Sequence, residues 1–265
     1  MEKLYVNFEE IIGKIKAMHG IGQPPLGSWG FGIEHFHYLK EAHIPFSRLH
    51  DVGGVFGGNL WVDIPNIFRD FDADENMEEN YDFAFTDILV KGLVENGCYP
   101  VFRLGVTIEQ THRVKAYRIF PPADFGKWAR ICEHIIRHYN CGWAEGFYLD
   151  IKYWEIWNEA DHGPTPERNA MWKGTPEQFY EMYTVAAKHL KNCFGDSIKV
   201  GGYASSGLGY VLSYPEKFGM DWVPEHTDGY TTDRGEYMAN FFLGFLEYIS
   251  AHKAPLDFFP GTLTG

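Results

Sequence analysis

Apolar and polar positions along this chain follow two rhythms: a period of two over short runs, and a period near 3.6 over longer ones. The short runs are Lys16–Gly22, Phe46–Asp51, Tyr99–Gly105, 152–157, Ser197–Tyr203 and a last one opening at Leu256–Phe259. Each reads as a strand. Between them lie stretches of helical spacing. Residues 30–42 carry Ile33, Phe36 and Leu39, and Pro45 ends that stretch. Tyr81 to Asn96 is amphipathic and stopped by Gly97. A helix over 123–140 follows, then one running to Phe194 with Thr175 as N-cap and Pro176 just inside its start. A further helix is expected over 235–252. The stretch from Gly53-Gly54 and Gly57-Gly58 through Asp70–Glu75 reads as one long loop. No repeat, low-complexity run or flexible linker interrupts the series.

Strands alternating with helices imply a parallel sheet with helical crossovers. A doubly wound open sheet would normally carry a glycine-rich phosphate loop after its first strand. His19-Gly-Ile-Gly-Gln-Pro-Pro25 lacks the third glycine, and Pro24-Pro25 forbids an immediate helix. A (β/α)8 barrel is therefore the expected fold, in a single domain covering 1–265. In that fold the chemistry sits at the C-terminal ends of the strands. Those ends offer Gln23, Arg48, His50, Arg103, Asn158, Glu159 and Tyr203.

Composition narrows the function. The 265 residues hold no apolar run near the ~18 that would span a bilayer, and no signal-peptide pattern follows Met1. A formal charge of −13 argues against nucleic acid or an anionic membrane as partner. Aromatic residues make up 17% of the chain, with 16 Tyr and 8 Trp whose polar ends need partners. A sugar site supplies them, since C–H faces stack on rings while hydroxyls need fixed donors and acceptors. Cys98, Cys132, Cys141 and Cys193 form no CxxC pair, so a cytoplasmic protein with free thiols is expected.

Tyr153-Trp-Glu-Ile-Trp-Asn-Glu159 concentrates the candidate chemistry. Tyr153, Glu155, Trp157 and Glu159 alternate with Trp154, Ile156 and Asn158, and Ala160-Asp-His-Gly-Pro164 then breaks the strand. Glu159 thus stands beside an amide where strand becomes loop. Apolar walls would raise its pKa and suit it to protonating a leaving group. The same alternation also fits a buried strand whose terminal Glu is merely solvated.

Trp154-Glu-Ile-Trp-Asn-Glu159 resembles the fourth-strand signature of the retaining (β/α)8-barrel glycosidases, and most of all glycoside hydrolase family 39, which holds β-xylosidases and α-L-iduronidases. His19–Pro25, Arg48-Leu-His50 and Leu256–Phe259 agree in order. The resemblance implies that Glu159 is the general acid/base and that Asn158 binds the sugar 2-hydroxyl. It further implies that Arg48 and His50 support the carboxylates and contact the sugar, with Trp157 among the substrate-binding residues. The implied substrate is a xylose-like or uronic-acid-like glycoside, with no cofactor and no metal.

Retention needs two carboxylates about 5–5.5 Å apart, one the acid and the other a nucleophile. The family places the nucleophile on the seventh strand, whereas this sequence stops on its sixth. Glu225 falls in a Pro-containing loop, and Glu236 and Glu247 on an expected helix, so none follows a strand. Family members usually read Asp-Phe-x-Ser-Trp-His-x-Tyr at the sixth strand, and here Asp257-Phe-Phe-Pro-Gly-Thr-Leu-Thr-Gly265 stands instead. Codons CCT-GGC-ACA-CTT-ACG-GGN would encode Pro260 to Gly265. From their third base the same letters spell Trp-His-Thr-Tyr-Gly, so an out-of-frame tail on a truncated glycosidase is expected. The barrel would then be incomplete, with about six of eight strands, and its open edges would favour self-association. The rival reading is a non-catalytic remnant that at most binds sugar.

Two weaker patterns remain. Asp70, Asp72, Asp74 and Glu75 begin like a calcium loop, but Glu75 stands where the turn needs Gly and Tyr81 where a bidentate Glu belongs. A solvated, substrate-side loop is the expectation. His134 and His138 share a helix face without a Glu between them, which favours a structural or solvated role over a metal site.

Overall fold

The structure, a computed structural model, describes residues 7, 9–10, 13, 19–24, 35–49, 62–106, 119–221 and 232–260. In chain order these form α1 (Phe36–Glu41), β1 (Phe46–Arg48), α2 (Ile64–Ile67), α3 (Ala84–Glu95) and β2 (Tyr99–Leu104). There follow α4 (Phe125–Cys141), β3 (Tyr153–Ile156), α5 (Pro176–Phe194), β4 (Lys199–Gly201), α6 (Gly207–Ser213) and α7 (Thr232–Ala251).

The four strands pair in parallel in the order β1-β2-β3-β4. Ile21 bridges in parallel to Ser47 outside β1, and Phe258 does the same to Gly201 outside β4. Six consecutive segments therefore lie side by side in chain order, which is the α/β arrangement with a parallel sheet that the alternation implies. The first and last expected strands each show a single bridge among the described residues.

Local sequence explains the long helices. Asp124 caps α4 by accepting from Lys127 N at 2.9 Å, and Gly142 closes it at φ 75°, a conformation glycine adopts without cost. Trp128, Ile131, Cys132, Ile135, Ile136 and Tyr139 of α4 are all buried. Thr175 caps α5 in a full capping box with Gln178, with Pro176 at the first helical position. Helices α4 and α5 pack against each other and cover the outer face of the sheet, where Trp154 stacks on Phe102 at 5.0 Å.

The other face gathers side chains from alternate strands. Tyr153 of β3 meets Phe46 of β1 edge-on at 5.6 Å and Phe258 edge-on at 5.4 Å. One step further along, Arg48 of β1 reaches Glu155 of β3. Each contact skips a strand, so the sheet curls toward this face.

Two segments depart from expectation. The presumed loop after β1 contains α2, and the connection after β4 contains α6; both are too short to show a helical period of their own. The acidic patch is not a solvated loop throughout. Asp70 and Asp74 turn back on Asp72 N and Asn76 N, while Glu75 is buried and docks on α4 through Arg130 at 2.7 Å and Lys127 at 3.5 Å. His138 is structural: it stacks on Phe83 at 3.6 Å and bonds both Trp143 O and Asp87. His134 Nδ1 sits 2.9 Å from Arg130 O.

Candidate active site

The C-terminal end of β3 carries the site. Strand alternation would place Trp157 on the face of Tyr153 and Glu155. Instead Trp157 takes φ 69°, which ends the strand and turns its ring the other way. The indole is 1% exposed, sits 5.3 Å from Trp172 and 6.1 Å from Trp128, and donates from Nε1 to Met171 O at 3.0 Å. A sugar finds no open face on it. Expected as a substrate-binding residue, Trp157 is a wedge in the core under the site. Gly105 lets β2 pass close beneath, because a Cβ there would lie 2.9 Å from Trp157 Cα.

The reversal at Trp157 brings Asn158 onto the face of Glu155. Arg48 Nε and Nη2 grip the two oxygens of Glu155 at 2.7 and 2.8 Å, and Nη2 also donates to Asn158 Oδ1 at 2.5 Å. Glu155 is fully buried, so this fork supplies the charge that makes burial tolerable. Arginine can only donate, which fixes the amide of Asn158 with Oδ1 toward Arg48. Asn158 Nδ2 then faces away, buried and with no partner among the described residues.

Glu159 follows with φ 41°, its backbone N–H donating to Ala204 O at 3.1 Å. Its side chain is 13% exposed, and His162 Nδ1 stands 3.3 Å from Oε2, off-line for a hydrogen bond. Asp161 lies fully buried beneath. It accepts from Ser205 Oγ at 2.6 Å, Ser206 N at 3.1 Å and Gly207 N at 2.8 Å, and so ties the loop after β3 to the loop after β4. Burial pushes its carboxyl up to about 6, with a smaller upward push from the Glu159 charge, while the three donors hold it down. Nothing in the sequence pattern marked Asp161; the Asp161-His-Gly-Pro164 loop suits a turn equally well.

Arg48 and Asn158 thus come together, with Glu159 the next residue along the chain, whereas His50 lies outside the described residues. Arg103 and Tyr203, both expected at the strand ends, are fully buried. Arg103 pairs with Asp63 at 2.6 Å, and Tyr203 packs on Phe179 and Phe245. Gln23 is exposed. Among the described late carboxylates, Glu236 and Glu247 lie on α7, and Asp257 accepts from Val200 N and pairs with Lys191. Glu225 falls outside the described residues.

The sequence profile of the glycosyl hydrolases family 39 matches residues 49–258, which includes every one of these groups except Arg48 and Gln23. The chain belongs to glycosyl hydrolases family 39. A β-xylosidase of Caldicellulosiruptor saccharolyticus is 26% identical over 211 residues, covering 76% of this chain and 36% of the relative. One of Geobacillus stearothermophilus is 25% identical over 163 residues, covering 58% of this chain and 30% of the relative. The crystal structure of a glucosidase from Croceicoccus marinus superposes with a TM-score of 0.65 at 25% identity, over 94% of this chain and 44% of that one. The chain spans about a third of the length of these β-xylosidases. No described helix is long and apolar enough to cross a membrane.

Proposed function

We propose that these residues form the acid/base half of a retaining β-xylosidase-like site in a (β/α)8 barrel, with Glu159 as general acid/base. Six parallel segments in chain order, with Phe46, Tyr153 and Phe258 meeting from alternate ones, support the barrel: barrel interiors are filled in layers contributed by alternate strands.

One observation carries the functional reading. Asn158 is clamped by Arg48 with its Nδ2 buried and without a partner among the described residues, one residue before a partly open Glu159 at a strand end. A buried donor without a partner costs about 1–3 kcal/mol, and a sugar hydroxyl accepts from it. Glu159 would protonate the departing oxygen and then activate water, while a second carboxylate takes the sugar in a covalent intermediate. None of the described carboxylates serves as that nucleophile: Glu155 is held by Arg48, and Asp161 is buried under its own donors. The nucleophile is therefore assigned to sequence other than the described residues. A xylose-like glycoside is the favoured substrate, from the two β-xylosidase relatives.

An affinity label tests the acid/base without needing turnover. N-bromoacetyl-β-D-xylopyranosylamine places an alkylating carbon where the leaving-group oxygen would sit. In Cys141→Ser, which removes the exposed thiol that would react with any bromoacetyl group, an adduct on Glu159 is expected that free xylose slows and that Glu159→Gln abolishes. No adduct on Glu159, or one that xylose does not slow, would overturn the assignment. Hydrolysis of an aryl β-xyloside by the 265-residue chain tests where the nucleophile lies. Turnover lost in Glu159→Gln would place the nucleophile within these residues.

A further inference from the structure

Remote from the strand ends, helices α4 and α5 pack side by side and bring three metal-ligating side chains together. Glu133 comes from α4. His189 and Cys193 stand one turn apart on α5, a spacing that puts both on the same face. His189 Nε2 is 2.6 Å from Glu133 Oε2 and 3.7 Å from Cys193 Sγ, and all three donor atoms lie within 4.8 Å of one another. Arg137 Nε holds the other oxygen, Oε1, at 2.6 Å and so fixes the carboxylate with Oε2 toward His189.

We propose that Glu133, His189 and Cys193 bind a divalent transition-metal ion of the zinc type, as a clamp between α4 and α5. One imidazole, one thiolate and one carboxylate suit zinc, which takes such ligands at about 2.0–2.3 Å in a tetrahedron. Tetrahedral ligands at those lengths stand roughly 3.3–3.6 Å apart. The His189–Cys193 separation of 3.7 Å has to close by only about 0.1 Å. The Glu133–His189 separation has to open by less than about 1 Å as the shared proton leaves and the ion takes its place. Arg137 keeps Oε1 and rests on the Phe194 ring at 5.3 Å. The two anionic ligands balance the charge of the ion, so Arg137 faces a neutral cluster. A water from solvent completes the fourth position, and the site stands on rigid helices rather than loops. Oxygen-seeking ions such as Mg2+ and Ca2+ are disfavoured by the thiolate and the imidazole.

The purified chain titrated with CoCl2, then competed with ZnCl2, tests this. One cobalt per chain is expected, with tetrahedral d–d bands and a sulfur-to-cobalt charge-transfer band that zinc abolishes. Cys193→Ser, which keeps the side-chain size, should remove the charge-transfer band. His189→Ala should weaken binding at least about tenfold. Cys141→Ser, which changes the exposed thiol, should leave both unchanged. Zinc should raise the melting temperature of the parent chain and of Cys141→Ser, but not of Cys193→Ser. No stoichiometric binding by the parent chain overturns the site. So does an unchanged cobalt spectrum in Cys193→Ser or in Glu133→Gln.

Discussion

Arg48 on β1 and Glu155 on β3 are joined by two parallel hydrogen bonds of 2.7 and 2.8 Å that pass over the intervening strand β2. The carboxylate is fully buried and the guanidinium 19% exposed. This pair sets the curvature of the sheet under the site and, through the third bond to Asn158, the orientation of the amide beside Glu159.

Replacing Arg48 by Met leaves the buried Glu155 without its guanidinium partner. A loss of about 3–5 kcal/mol in unfolding free energy is expected, measured by urea denaturation at neutral pH. Arg48→Met combined with Glu155→Gln should recover much of that loss, since the uncompensated charge is then gone. A single variant as stable as the parent would show that the pair does not matter to the fold.

Asn158→Ala removes the unpartnered donor while leaving the Arg48–Glu155 fork in place. Alkylation of Glu159 by the xylosyl label should slow roughly 5- to 150-fold, corresponding to about 1–3 kcal/mol for a lost buried hydrogen bond. The thermal melt should change much less than in Arg48→Met. Unchanged labelling would place the sugar away from Asn158.

Asp161 links stability to pH with a definite sign. Its carboxyl titrates at about 6 in the folded chain against an ordinary 3.8. Between these values the folded chain holds a proton that the unfolded chain has released, so the Asp161 contribution to stability falls as pH rises from about 4 to about 6. The magnitude is roughly 2–3 kcal/mol. Glu75 and Glu133 act in the opposite direction, because Arg130 and Arg137 hold their carboxyls below the usual value against the desolvation of burial. The test is therefore the difference between parent and Asp161→Asn. The stability of Asp161→Asn relative to the parent should be more favourable at pH 7 than at pH 4.5, and a difference independent of pH would refute it.

Gly105→Ala drives a methyl to 2.9 Å from Trp157 Cα, backbone that cannot swing aside. The end of β3 must shift, at a cost of about 1–3 kcal/mol by analogy with overpacked cores. Glu159 labelling should fall together with the melting temperature. A variant that keeps both would mean that β2 and β3 have slack at this point.

Short-range signals in the sequence were enough for the order of the strands and the long helices, though not for α2 and α6. Strand and helix periods, the Thr175–Pro176 cap and the Gly142 stop act within a few residues, and the helices form where those signals stand. Asn158 and Glu159 were legible at the end of β3 for the same reason, since a strand run breaking into Asp161-His-Gly-Pro164 can only end there. What the tertiary structure alone decided is which side chain meets which. Alternation assigned Trp157 to the inner face, but a left-handed backbone at that residue, wedged between Gly105 and the Met171 carbonyl, sends it outward and turns Asn158 in. Arg103 and Tyr203 occupied strand-end positions in the sequence, yet the packing of α2 and α7 around the sheet buries them. The Arg48–Glu155 fork, the Asp161 clamp and the Glu133–His189–Cys193 cluster each join residues 44 to 107 positions apart or on separate helices. Period and propensity describe a residue and its near neighbours, whereas such partners are chosen by the curl of the sheet and the packing of one helix on the next.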